Sequence, residues 1–332
     1  MYFKNRNILV IGGTGTIGKC IVKHLLKENP KVIKIFSRDE YKQQQLKDEL
    51  GDRKNLRFII GDVRDYDCLF KAMREVDFVF HLAAMKQVDT CEYNPYEAVK
   101  TNVQGTHNVI EAAIDQNVRK VVFTSSDKAI SPTNTYGSTK LLGERLISAT
   151  EYNRTEDQTV FASVRFGNVM GSRGSVIPLF KEQIKKNKRV TVTDKNMTRF
   201  MMTLTQATQL TINALKDAKG GEIFVLKMPV INIGDLADIL IEETCKKYHI
   251  KSKEVVKEVI GLRPGEKMYE ELMTVDEARL AWELPDMYVL PGTETRSYRN
   301  AKKASTRTYS SMDESPLNRN ELRLLLKKAG LI

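Results

Sequence analysis

The segment Asn7 to Gly18, NILVIGGTGTIG, restricts this chain more than any other stretch. Asn7 to Ile11 is a nearly continuous apolar run, the pattern of a strand buried on both faces of a parallel sheet. It ends in Gly12-Gly13-Thr14-Gly15-Thr16-Ile17-Gly18, and an amphipathic helix is expected from Lys19 to about Glu28. Strand, glycine loop and helix in that order suit a dinucleotide. Glycines permit a tight turn and close backbone approach, and a helix N-terminus offers free N–H groups to a pyrophosphate. The candidate contacts are Gly12, Thr14, Gly15, Thr16, Ile17 and Gly18; the alternative is a purely structural turn.

Further apolar runs follow at Val32–Phe36, Leu56–Ile60, Phe78–Leu82, Val121–Thr124 and Val160–Arg165, with helical patterns between them. Alternation of this kind specifies an α/β fold, a doubly wound parallel sheet of the Rossmann type, with ligands at the strands' C-terminal ends. The second run ends in Ser37-Arg38, then Asp39. A guanidinium there matches a ribose 2′-phosphate and favours NADP. The alternative is that Arg38 is a surface residue and Asp39 takes the ribose of NAD. The third run ends in Asp62-Val63, an acceptor and a packing surface for adenine. The fourth leads into Ala83-Ala84, small enough to leave room for a cofactor. Met85 to Thr106 reads as a loop and then a helix, with Lys86 and Asn102 as further candidates. His81, inside an apolar strand, reads as a core histidine.

A chain of 332 residues can divide into two lobes. Residues 1–167, rejoined by about 203–228, are expected to form the dinucleotide domain. Residues 168–202 and 229–332 are expected to form a smaller α/β substrate lobe. Pro291 to Ser315 is polar and reads as a loosely packed surface segment, and Glu321–Ala329 as a final helix. No apolar run approaches the ~20 residues that span a bilayer, so membrane insertion is not expected. The N-terminus has no secretory pattern, which points to the cytoplasm. The four cysteines lack metal-ligand spacing, and no metal site is expected. The net charge of +11 is spread among acidic residues without a nucleic-acid motif, leaving nucleic acid a minor alternative.

The fifth run delivers TSSDKAISPTNTYGSTK, Thr124 to Lys140. Tyr136 and Lys140 are four apart and share a helix face. A lysine beside a tyrosine favours the phenolate, which can act as a base. Before them stand Ser126, which could also be a simple cap, and the pair Asp127-Lys128, which could also be a salt-bridged turn.

With GGTGTIG, SRDE, GDVRD, HLAAMKQVDTCEYNPYEAVKTNVQGT, SSDKAISPTNTYGSTK, RFGNVMGSRGSVIPLF, TDKNMTRFMMT, GGEIFVLKMP and GLRPGEKMYEEL, the chain resembles the extended short-chain dehydrogenase/reductases. Within them it looks like the soluble UDP-N-acetylglucosamine 4,6-dehydratases. That resemblance implies oxidation at carbon 4 of the sugar, loss of water across carbons 5 and 6, and hydride return to carbon 6. Tyr136 would take the 4-hydroxyl proton, with Lys140 lowering its pKa and holding the nicotinamide ribose, and Ser126 would hold the 4-oxygen. Lys128 would be the base at carbon 5 and Asp127 the acid for the leaving 6-hydroxyl. This asks Lys128 to be neutral and Asp127 protonated; burial favours both states, and their attraction opposes them. For a UDP-sugar the candidates are Lys86, Asn168, Arg173, Ser175, Val176, Arg199, Arg263 and Glu266, with Arg199 and Arg263 being alternatively inter-lobe salt bridges. A homo-oligomer, dimer or hexamer, is expected. A 4-epimerase or 4-reductase shares the tyrosine and lysine but gives Asp127 and Lys128 no task. A non-catalytic NADP-sensing protein would not need Tyr136 and Lys140 intact.

Overall fold

The structure, a computed structural model, describes residues 1–153, 158–172, 174–263, 265–292, 298 and 300–332. Apolar runs in the first half become parallel strands β1 (Asn7–Ile11), β2 (Val32–Ser37), β3 (Leu56–Ile60), β4 (Phe78–His81), β5 (Lys120–Thr124) and β6 (Val160–Arg165). They are joined by β7 (Ile223–Leu226), β8 (Trp282–Glu283), β9 (Met287–Leu290) and β10 (Lys302–Lys303). Among the described residues these form one sheet in the order β10-β8-β9-β7-β6-β5-β4-β1-β2-β3. From β3 to β7 every pairing is parallel. The chain order reverses between β1 and β4, which is where a doubly wound sheet opens a ligand crevice. The central strands bury both faces: Phe80, Phe123, Phe161 and Phe224 are all almost fully buried. Each such side chain contributes roughly 1.5–3 kcal/mol.

Four expectations are corrected. The first helix spans Thr16–Leu26, starting before Lys19, because the loop closes by Gly15 N–H to Gly12 O (2.9 Å) and Lys19 N–H already bonds Gly15 O (2.9 Å). The stretch after Met85 is a series of short helices, Val88–Tyr93 and Pro95–Val99, then a π-turn at Lys100–Gln104 leading into Gly105–Asp115. Pro95 starts a fresh helix at its first position, as its missing N–H allows. Strands Trp282–Glu283, Met287–Leu290 and Lys302–Lys303 extend the main sheet instead of the second lobe, β9 running antiparallel to β7. Tyr309, expected in a loose segment, is buried; its hydroxyl accepts from Met228 N–H (2.8 Å) and its ring lies 4.7 Å from that of Phe200.

The second lobe holds a small sheet of Asn168–Val169, Thr198–Met202 and Val230–Asn232. Helices Val176–Asn187, Ile233–Tyr248 and Arg319–Lys328 pack Ile177, Phe180, Ile184, Leu236, Leu240, Leu322 and Leu326 into a separate core. The last helix begins at a capping box in which Asn318 and Glu321 exchange bonds. No helix among the described residues is long and apolar enough to cross a membrane.

Candidate active site

A continuous cleft of about 850 Å³ opens at the C-terminal ends of β1, β4 and β5 and runs toward the second lobe. Its floor is the glycine loop. Gly12 has φ +80°, and a Cβ there would lie 2.8 Å from Ala83 N, so strand end and loop are already in contact. A Cβ on Gly18 would lie 2.5 Å from Gly12 O. Gly15 precedes helix Thr16–Leu26 and gives it no side-chain cap, and this helix N-terminus lines the cleft, the placement an anion site requires. Thr14, Thr16 and Ile17 line the cleft with the glycines. This cradle fits a dinucleotide pyrophosphate.

At the adenosine end Ser37, Arg38, Asp39, Lys42 and Val63 line the cleft. Asp39 caps helix Glu40–Leu50, accepting from Lys42 N–H at 3.0 Å, and also pairs with the Lys42 ammonium. Asp62 is drawn aside: it meets Arg64 at 2.7 Å and Arg38 at 3.4 Å and does not line the cleft. Burial pushes its carboxyl up, but hydrogen bonds from Arg64 and the nearby guanidinium charges hold it below the usual range. Ala83, Ala84 and Lys86 stand in the wall. Asn102 does not. It is buried, and its amide bridges Met85 N–H (2.8 Å), Met85 O (2.9 Å) and Thr139 Oγ1 (2.9 Å), tying the wall to the helix behind it. His81 is buried against Thr106 (3.1 Å), and burial, helped by Lys140, drops its pKa to about 3, so it is neutral. This agrees with its reading as a core histidine.

After Thr124 the chain keeps pairing with the end of β6, through Ser125 N–H to Val164 O (2.7 Å) and Asp127 N–H to Phe166 O (3.1 Å). It then makes a 3-10 turn at Asp127–Ala129 and enters helix Thr135–Ala149, capped by Asn134 onto Gly137 N–H (2.8 Å). The turn and helix touch so closely that Gly137 has no room for a side chain. Arg165, fully buried, fixes the helix from below by forking onto Glu144 at 3.0 and 2.7 Å.

This brings Ser126, Asp127, Lys128, Tyr136 and Lys140 together in one wall of the cleft. Ser126 Oγ donates to Asp127 Oδ1 (2.8 Å) and hydrogen-bonds the Tyr136 side chain. Lys128 Nζ lies 3.1 Å from Asp127 Oδ1 and 3.3 Å from Glu270 Oε1. Asp127 is 1% exposed, and its Oδ2 has no hydrogen-bond partner among the described residues. A buried carboxylate oxygen of this kind is expensive to leave unpaired and is well suited to meet a ligand group.

The electrostatics differ from expectation in two ways. Burial pulls Lys140 down to about 7, Glu144 opposing, and its Nζ sits 4.1 Å from the Phe123 ring centre. The Tyr136 phenol is pushed up by burial, and what opposes this is the Ser126 hydrogen bond and the Lys128 charge, not Lys140. Lys128 is pushed down by burial, yet Asp127 and Glu270 more than reverse this and hold it as an ammonium. At Lys128, attraction therefore outweighs burial.

Of the substrate candidates, Asn168, Ser175, Val176, Arg263 and Glu266 line the cleft, and the Ser175 hydroxyl is unpartnered among the described residues. Arg199 does not line it. It is buried with its guanidinium on the carbonyls of Thr198 (2.7 Å), Lys267 (2.7 Å) and Met268 (3.2 Å), a strut within the second lobe. Arg173 lies outside the described residues. Sequence reasoning missed Lys42, Lys267 and Glu270. The last two sit in the GEKMYEE motif, whose charge pattern alone does not show which member turns inward.

A family model described as a polysaccharide biosynthesis protein matches residues 8–291. The crystal structure of Pen from Bacillus thuringiensis is 58% identical and superposes with a TM-score of 0.95 over 100% of both chains. An uncharacterized membrane protein of Methanocaldococcus jannaschii is 48% identical over 331 residues, 100% of this chain and 98% of its own. A UDP-glucose 4-epimerase of Rickettsia rickettsii is 41% identical over 336 residues, 98% of this chain and 96% of its own.

Proposed function

The chain belongs to the polysaccharide biosynthesis protein family of extended short-chain dehydrogenase/reductases, and from that premise we propose that it is a nucleotide-sugar 4,6-dehydratase. Its substrate in this reading is UDP-N-acetylglucosamine and its cofactor NADP. Its product is a UDP-2-acetamido-2,6-dideoxy-4-keto-hexose, for bacterial surface or flagellar glycans. One observation carries the reading: a buried carboxylate, Asp127, with an oxygen unpartnered among the described residues, stands with Lys128 beside Tyr136. Hydride transfer alone gives that pair no task, whereas eliminating water needs an acid and a base.

When bound, the dinucleotide supplies reversible hydride transfer, so oxidation at carbon 4 and reduction at carbon 6 need no outside oxidant. The chain's residues move the protons. Tyr136 takes the proton of the 4-hydroxyl, and Ser126, already bonded to Tyr136, steadies the 4-oxygen. The carbon 4 ketone then acidifies carbon 5. Lys128 removes that proton, Asp127 protonates the 6-hydroxyl so that it leaves as water, and carbon 5 regains a proton as carbon 6 is reduced, matching the one Tyr136 took from the 4-hydroxyl. The resting ion pair reaches this state by passing one proton from Lys128 to Asp127 across their 3.1 Å contact, with no change in proton count. Arg38, lining the adenosine end while Asp39 is committed to its cap and to Lys42, supports NADP over NAD. Arg263 supports the substrate diphosphate.

The name of the Rickettsia relative favours a second reading, 4-epimerisation of a UDP-sugar. Mass spectrometry after incubation with UDP-N-acetylglucosamine separates the two. Loss of one water supports dehydration, an isomer of unchanged mass supports epimerisation, and turnover of some other UDP-sugar alone overturns the substrate assignment.

A further inference from the structure

Glu270 takes part in none of the steps above, yet it is 4% exposed and points at the site from the other lobe. It precedes the strand Glu271–Met273, and its backbone N–H is held by Ser311 Oγ at 3.0 Å. Its Oε1 lies 3.3 Å from Lys128 Nζ and 3.8 Å from Arg199 Nε. The same segment grips the turn around Lys128. Lys267 donates to the carbonyls of Ile130 (3.2 Å) and Ser131 (2.7 Å), and Gly265 O accepts from Thr133 Oγ1 and Asn134 Nδ2, both at 3.1 Å. The charged and titratable groups facing this cluster are Asp127 and Lys128 from the turn, Arg199 from strand Thr198–Met202, and Tyr136 from the helix.

We propose that Glu270 is a positioning residue for Lys128: its carboxylate holds the lysine at the edge of the cleft and sets how readily Lys128 gives up its proton. This rests on the dehydratase reading, in which Lys128 must become neutral to act at carbon 5. An ammonium between two carboxylates is held in place and held charged. With Glu270 ionised, Lys128 faces two negative groups, so passing its proton to Asp127 is opposed. Burial pushes the Glu270 carboxyl up, with Lys128 and Arg199 opposing. Protonation of Glu270 would release that opposition, so the second lobe contributes the group that tunes the base of the first.

Two measurements on the full chain test this, each comparing the wild type with Glu270→Gln, which keeps an acceptor of the same shape and removes the charge. In the pH profile of dehydration, the alkaline limb should move down by about one to three pH units, because removing one neighbouring charge makes Lys128 easier to deprotonate. KM for the UDP-sugar should stay within about threefold while kcat changes, since Glu270 does not line the cleft. Competitive acetylation read by mass spectrometry needs no turnover. Lys128 should label at least about tenfold faster at pH 8–9 in the variant, relative to exposed Lys186, and matched melting curves would report an intact fold. An unmoved limb in an active enzyme, or equal labelling of Lys128 in both proteins, overturns the proposal. A wild type that dehydrates no UDP-sugar overturns the dehydratase reading instead, and the labelling then still decides whether Glu270 governs Lys128.

Discussion

Gly137→Ala is the substitution for which the structure makes the sharpest demand. Gly137 is the third residue of helix Thr135–Ala149, and a Cβ there would stand 2.1 Å from Lys128 O, 3.0 Å from Lys128 C and 3.1 Å from Pro132 Cβ. The nearest obstacle is backbone and cannot rotate away. A carbon resting on a carbonyl oxygen needs about 3.3 Å, so turn and helix must part by roughly 1.2 Å. Overpacking of this kind costs about 1–3 kcal/mol of stability. The larger effect falls on the reaction, because the displaced turn carries Asp127 and Lys128 while the displacing helix carries Tyr136 and Lys140. A misplacement of ~1 Å between reacting groups costs ~100-fold, about 2.7 kcal/mol of barrier. The variant should therefore melt a few degrees lower and lose about two orders of magnitude in kcat. Its cofactor Kd should stay within about threefold, because the Gly12–Gly18 cradle is built elsewhere. Calorimetry, product formation from UDP-N-acetylglucosamine and a fluorescence titration with NADP measure the three quantities. Wild-type kcat in a variant shown to fold would refute the claim that the turn is locked in register by this contact.

Three further outcomes are expected. Asp127→Asn and Lys128→Ala should each abolish elimination while binding cofactor normally; near-wild-type product formation by both would remove them from the acid and base roles. Arg38→Ala should weaken NADP binding about 10–100-fold, the worth of a charge-assisted hydrogen bond, and leave NAD unchanged; equal loss for both cofactors in a binding assay would place the 2′-phosphate elsewhere. Lys140 is pulled by burial from its ordinary 10.5 to about 7, so between those pH values the unfolded chain holds a proton that the folded one lacks. Stability from this group thus rises with pH from about 7 to 10.5, and the buried charge is most costly at pH 7 and below. Lys140→Met should raise the Tm of the cofactor-free protein at pH 7 by an amount that shrinks toward pH 10; a constant difference would contradict the shift.

The sheet was legible because its information is local. The runs that became β1, β4, β5 and β6 are apolar enough to be buried on both faces, and the glycine loop sits where a strand passes into a helix. The seam between lobes was not legible. β8 to β10 are short, and nothing in Lys302-Lys303 announces a partner strand. Tyr309 reads as one aromatic in a polar stretch, and only the distant Met228 and Phe200 give it a place. At the site, Tyr136 and Lys140 are legible because i,i+4 spacing puts them on one helix face, whereas Asp127 and Lys128 owe their roles to the family resemblance, and the turn before that helix brings them alongside. The places of Arg199 and Glu270 are not legible in the sequence because what decides their roles is long-range. A guanidinium takes whichever acceptors it meets, and here these are the carbonyls of Lys267 and Met268. Asn102 is a similar case, an amide in the expected helix whose partners are Met85 and Thr139.

The central claim is that Asp127 and Lys128 make this cleft eliminate water rather than only exchange a hydride. Incubating the enzyme in deuterated water with UDP-N-acetylglucosamine, followed by NMR of the product, tests it most directly. The expected result is a 4-keto-6-deoxy product with solvent deuterium at carbon 5 and, from substrate deuterated at carbon 4, that label at carbon 6. A product that keeps its 6-hydroxyl and differs only in configuration at carbon 4 would contradict it.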